Sequence, residues 1–163
     1  MKRLNSTAKG RNRLRRQYAS GRLALGAILA MTLLNQLLLH KGISYHFFLS
    51  AAAPYYLVWV CKTMGLPRGL CNMAACAAAM LNMGYGLCWW KSRLQRRWLT
   101  IALGMYSVDT LLLVIFTLTL LKNAASCLLE IMTHCFVVGC LVVGEHAGGR
   151  LNRYRAAKFL GIK

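Results

Sequence analysis

The sequence predicts an all-α integral membrane protein, a bundle of about four transmembrane helices plus one re-entrant or interfacial helical segment at 43–61. Three observations predict it. The chain has 163 residues, 58% of them hydrophobic. Its 21 Lys and Arg stand against 3 Asp and Glu, and the bases sit in a few blocks separated by long apolar runs. A soluble domain would intersperse charges of both signs over its surface. Finally, the blocks make sense across a bilayer only if one of the five apolar runs turns back.

Residues 1–22, MKRLNSTAKGRNRLRRQYASGR, contain no acid and too little apolar surface to fold alone. They are expected to form a basic cytoplasmic tail, disordered or lying on the membrane surface. The run LALGAILAMTLLNQLLL at 23–39 is long enough to cross a hydrocarbon layer of about 30 Å. No small-x-small cleavage site follows it closely, and Arg15-Arg16 is only a faint echo of a twin-arginine signal. An uncleaved first span is therefore expected.

The turn His40-Lys41-Gly42 leads into 43–61, ISYHFFLSAAAPYYLVWVC. After the breaker Gly65-Leu66-Pro67-Arg68-Gly69 comes an Ala-rich run at 70–90, then a basic loop carrying Lys91, Arg93, Arg96 and Arg97. A span at 98–121 turns at Lys122-Asn123 into a last one that ends near 147, followed by a second basic cytoplasmic tail at 148–163. The residues from 23 to 147 thus form a single transmembrane domain.

Five transmembrane helices are the alternative, but five crossings would divide the bases almost evenly, 11 to one side and 10 to the other. If one run before Lys91 fails to cross, 17 of the 21 fall on one side, as the positive-inside rule prefers. The segment at 43–61 is the better candidate. It carries Pro54 near its centre, expected to kink a helix, together with His46, Tyr45, Tyr55, Tyr56 and Trp59, which favour the membrane–water interface. The run at 70–90 carries Asn72 and Asn82, yet its small residues suit close packing between helices.

The residues able to carry chemistry are few. All three acids, Asp109, Glu130 and Glu145, fall in or at the ends of the last two spans. A lipid-facing charge there costs about 2.5–3.5 kcal/mol, so each must face the interior or pair. Counting from the Lys122-Asn123 turn places Asp109 and His134 within about 3 Å of one level. Glu130 and His134, four apart, share a helix face that Glu145 continues. Asp109, Glu130 and His134 therefore form a candidate intramembrane polar cluster, with Glu145, His46, Asn72 and Asn82 secondary. Tyr106, Ser107 and Thr110 are expected to satisfy the remaining lone pairs of Asp109, and Asn35, Gln36, Asn72 and Asn82 to bond across helices.

The cluster would offer a metal two oxygens and a nitrogen, but no fourth ligand and no HExxH motif is evident, so neither a metal nor any other cofactor is expected. The seven Cys include no CxxC pair and read as packing residues. No GxSxG or Ser/Lys pattern marks a nucleophile, so no catalytic residue is assigned. Small residues at 135/139, 140/144 and 144/148 favour close packing of the last span.

The segments FFLSAAAPYYLVWV, LCWWKSR, WLTIALGMYSVDTLLLVIF and IMTHCFVVGCLVVGEHAGGRL resemble, in that order, a group of small multi-pass membrane proteins of Clostridia and related Firmicutes. That group shares an FxxSAxxPYxLV stretch and an aromatic-then-basic loop. An aspartate sits inside the next span, here in Val108-Asp109-Thr110, and a histidine in the last. The resemblance spans about 23–150 and implies a topology and a bacterial plasma membrane, but no activity. The chain departs from the group in its short linker at 62–69, where the others tend to have a longer, more acidic outer segment.

Three functions follow as expectations. The first is a non-catalytic packing or assembly partner in a membrane complex. In that case the Asp109–His134 bond is structural, and Asp109→Asn is expected to keep it. The second is a small proton-coupled transporter or transporter subunit that uses the Asp/His pair. The third is a holin-like pore, against which the intramembrane acid and histidine stand. The expected partners are the bilayer, anionic headgroups met by the basic tails, and either a second copy or another membrane protein. Nucleic acid is not expected.

Overall fold

The computed structural model describes residues 2–43, 45, 47–121 and 124–159, and among these it is all helical, without strands. The helices are α1 (Lys2–His40), α2 (Ala52–Thr63), α3 (Arg68–Lys91), α4 (Arg97–Phe116) and α5 (Ala124–Phe159). A π-helical turn, Thr117–Leu121, extends α4. Among the described residues four helices, all but α2, are long and apolar enough to cross a membrane. With 12 residues, α2 reaches about 18 Å and cannot span the layer alone.

The long helices run antiparallel in sequence. One end of the bundle gathers the bases. There the Tyr18 hydroxyl donates to the Ser92 carbonyl at 2.6 Å and Arg22 Nε to Ser92 Oγ at 3.1 Å. Arg96 pairs with Glu145 of α5 at the same end, and Lys91 lies 4.7 Å over the Trp98 ring. At the opposite end Gly42 and Gly65 take positive φ, 76° and 62°, in the two tight turns where a side chain would be strained. The turn at Lys122-Asn123 lies outside the described residues.

Residues 2–22, for which either disorder or a place on the membrane surface is expected, are helix. They continue α1 without a break, and Leu14 is buried. Packing supplies what composition lacks. Gly21 and Gly144 let α1 and α5 cross with backbones touching, since a Cβ on Gly21 would lie 3.0 Å from the Gly144 Cα. The small-residue spacing at 144/148 thus works inside the bundle, with Gly148 against the Tyr18 ring, whereas Cys135 and Gly139 face outward. The buried core includes Leu25, Ile28, Tyr85, Leu99, Tyr106 and Leu141. Large apolar side chains such as Met73, Leu118 and Phe136 are exposed along the helices, as in a protein whose solvent is lipid.

The segment between α1 and α2 decides the architecture. From the end of α1 the chain turns back along it, and Asn35 holds Phe47 at both ends, its Oδ1 accepting the Phe47 amide at 2.7 Å and its Nδ2 donating to the Phe47 carbonyl at 2.8 Å. Thr32, nearly one turn further down, accepts the Ala51 amide at 2.8 Å. The chain then reverses as α2 and returns to the end it left, where Lys62 donates to the Leu39 carbonyl at 2.8 Å. Irregular backbone at such depth survives only where protein satisfies its polar groups, and here three side chains of α1 and α4 do so. Pro54, expected at the centre of a kinked helix, lies in the first turn of α2, where its missing N–H costs nothing.

Candidate functional site

The polar residues of the bundle converge where α2 begins. Asp109, midway along α4 and 3% exposed, accepts the Ala52 amide through Oδ2 at 2.8 Å and the Ala53 amide through Oδ1 at 2.7 Å. These are the first amides of α2, which have no partner within their own helix. An acid at a helix N-terminus also meets the positive end of the helix dipole. Asp109 is therefore the N-terminal cap of α2, supplied from another helix; Ala51, at the capping position itself, has no side chain that could serve.

Next to it, His134 is fully buried with Nδ1 3.9 Å from Asp109 Oδ2. Its ring stacks on Tyr106 at 4.9 Å between centroids and 17° between planes. Thr110 gives its hydroxyl proton to the Tyr106 carbonyl at 2.8 Å and lies 3.2 Å from His134 Nδ1. With that proton committed, the Thr110 oxygen is left to accept from Nδ1. One turn up α5, Glu130 is 2% exposed and accepts the Tyr56 hydroxyl at 3.0 Å. Ser50 completes the floor, its Oγ taking a 2.8 Å bond from Asn35 and donating to the Phe47 carbonyl at 3.0 Å.

The structure thus brings Asp109, Glu130 and His134 together around α2 and leaves others apart. Glu145 lies at the basic end, bound to Arg96 and, at 3.3 Å, to the Thr100 hydroxyl. Asn82 is buried and donates to Gln36 Oε1 at 2.7 Å, joining α3 to α1. Asn72 is exposed on α3, and Asn35 serves the returning segment; neither makes the expected bridge between helices. His46 lies outside the described residues. Of the groups expected to complete Asp109, Tyr106 and Thr110 turn to His134, and Ser107 is exposed.

Sequence reasoning missed Thr32, Ser50 and the backbone of Ala52 and Ala53. One signal was available. Thr32, Asn35 and Gln36 share a face of an otherwise Leu-rich helix, and Ser-Ala-Ala-Ala-Pro reads as a helix start, since Pro favours the first turn. Among the described residues no three His, Cys, Asp or Glu side chains converge as a metal-binding group. Cys61, Cys71, Cys76, Cys88, Cys135 and Cys140 are free thiols. No family model, curated protein or solved structure matches the chain.

Proposed function

We propose that this chain is a multi-pass protein of a bacterial plasma membrane, its basic end cytoplasmic, that acts as a non-catalytic packing or assembly partner in a membrane complex. The observation that carries the reading is the commitment of both Asp109 oxygens to the amides of α2. A carboxylate used this way holds a re-entrant segment in place, and the bond from Tyr56 to Glu130 serves the same end, while that between His134 Nδ1 and the Thr110 oxygen ties α5 to α4 beside it. Small residues that face outward, Ala75, Cys76 and Ala79 on α3 with Cys135 and Gly139 on α5, suit close approach of further helices. Gathering of the bases at one end supports the orientation, and the resemblance to the Firmicutes group supports the compartment.

The test is purification of the tagged protein in mild detergent, followed by mass spectrometry of the intact complex. A stoichiometric membrane-protein partner is the expected result; a lone monomer that carries out a reaction or a flux by itself contradicts the reading.

A second reading, a proton-coupled transporter subunit, is favoured by one distance, the 3.9 Å between His134 Nδ1 and Asp109 Oδ2. A proton can pass between carboxylate and imidazole at such range once the pair closes slightly. His134→Phe preserves the stack on Tyr106 and removes the exchangeable nitrogen. Proton flux in proteoliposomes that is present in the parent and lost in this variant would favour the second reading over the first.

A further inference from the structure

At the basic end, α1 and α5 extend together, and the groove between them beside the Gly21–Gly144 crossing opens into a cleft of about 570 Å³. Its α1 wall is the face at positions 10, 13, 14 and 17, and its α5 wall is the face at 142, 143, 146, 150 and 154. Both spacings are single helix faces, so the two walls look at each other. The wall chemistry changes along the axis. Val142 and Val143 lie at the membrane side, exposed and apolar. Arg13 and Arg150, one from each helix, lie nearer the helix ends with His146 and Tyr154, all exposed.

The two arginines have no acid to meet. The chain has three, of which Asp109 and Glu130 are buried around α2 and Glu145 is bound to Arg96. Two arginines that line one cleft with no acidic side chain among its lining residues invite an anion, and the planar fork of Arg matches phosphate oxygens two at a time. The apolar floor begins about 11 Å along α5 from Arg150, the offset between a phosphate and the start of its acyl chains. A free phosphate would use only one half of such a cleft. A phospholipid uses both, and basic pockets between helices on the cytoplasmic side are where anionic headgroups are held.

We propose that this cleft binds one anionic phospholipid, its phosphate between Arg13 and Arg150 and an acyl chain along Val142 and Val143. The site is distinct from the general attraction of basic tails for a membrane, because it depends on which arginines are present and not on how many. It also stands whether or not the chain has a protein partner.

The test is native mass spectrometry of the full chain from micelles that contain equal phosphatidylglycerol and phosphatidylcholine. The parent is expected to carry one phosphatidylglycerol, and Arg13→Gln with Arg150→Gln to lower that occupancy roughly tenfold. Arg11→Gln with Arg153→Gln, which removes the same charge from exposed positions outside the cleft, is expected to retain it. Matching elution profiles show that both double variants remain folded. Equal loss in the two double variants, equal uptake of phosphatidylcholine, or displacement of the lipid by an equal concentration of inorganic phosphate would each overturn the proposal.

Discussion

Asp109 Oδ2 accepts the Ala52 amide at 2.8 Å across 57 positions of sequence, so an acid in the middle of one span terminates a different helix. The pairing explains why a carboxylate belongs in the centre of an apolar bundle. A helix that begins at mid-depth presents unpaired amides where no water reaches them, and each would cost several kcal/mol in hydrocarbon.

Substitution of Asp109 should follow from this count of donors. Asp109→Asn offers one carbonyl oxygen and turns its NH₂ towards the second amide, so it does not keep both bonds as an isosteric swap would. A loss of about 1–3 kcal/mol is expected for Asn, and more for Ala, which leaves both amides bare. Thermal unfolding in detergent measures it. An Asp109→Asn protein as stable as the parent would mean that the amides of α2 find other partners.

Asn35 is the second fastening. Asn35→Ala removes three hydrogen bonds, two to Phe47 and one to Ser50. Amide exchange is expected to rise in 47–53 well before it rises in α4 or α5, because the long helices keep their own bonds. Uniform acceleration along the chain would count against a locally held segment.

Glycines on α5 should divide by position. A Cβ on Gly144 would sit 2.9 Å from the Gly21 Cα, a backbone atom that cannot rotate away. Gly144→Ala is therefore expected to cost about 1–3 kcal/mol through overpacking. Gly139 has nothing within 4 Å, so Gly139→Ala should be neutral in the isolated protein or slightly stabilising through helix propensity. Loss of a co-purifying partner in Gly139→Ala, with unchanged stability, would locate a docking face there.

Particular residues show how far the sequence reading reached. The four long helices follow from apolar runs and from bases that group at one end. That 43–61 yields no helix of membrane-spanning length is legible because charge placement is a count over the whole chain and tolerates local error. Proximity of Asp109 to His134 follows from helix rise alone. What stayed hidden was the partner of Asp109. Two backbone amides have no side-chain signature, and Ala52 and Ala53 read as packing residues until their neighbour is seen. The helical state of 2–22 was hidden for a similar reason: its stability comes from Leu14, Tyr18 and Gly21 packed on α5 and the 91–97 loop, contacts that local composition does not contain.

The central claim is that the chain enters the bundle after α1 and leaves it again at the same end. Single cysteines at Ile43, Met64 and Gln95, in a background whose native cysteines are replaced, test it with a membrane-impermeant thiol reagent applied to intact cells. All three positions are exposed at the ends of helices. The account predicts that Ile43→Cys and Met64→Cys label from outside and that Gln95→Cys labels only after the membrane is opened. Labelling of Ile43→Cys and Met64→Cys from opposite faces would show that α2 completes a crossing, and would contradict the re-entrant architecture on which the role of Asp109 depends.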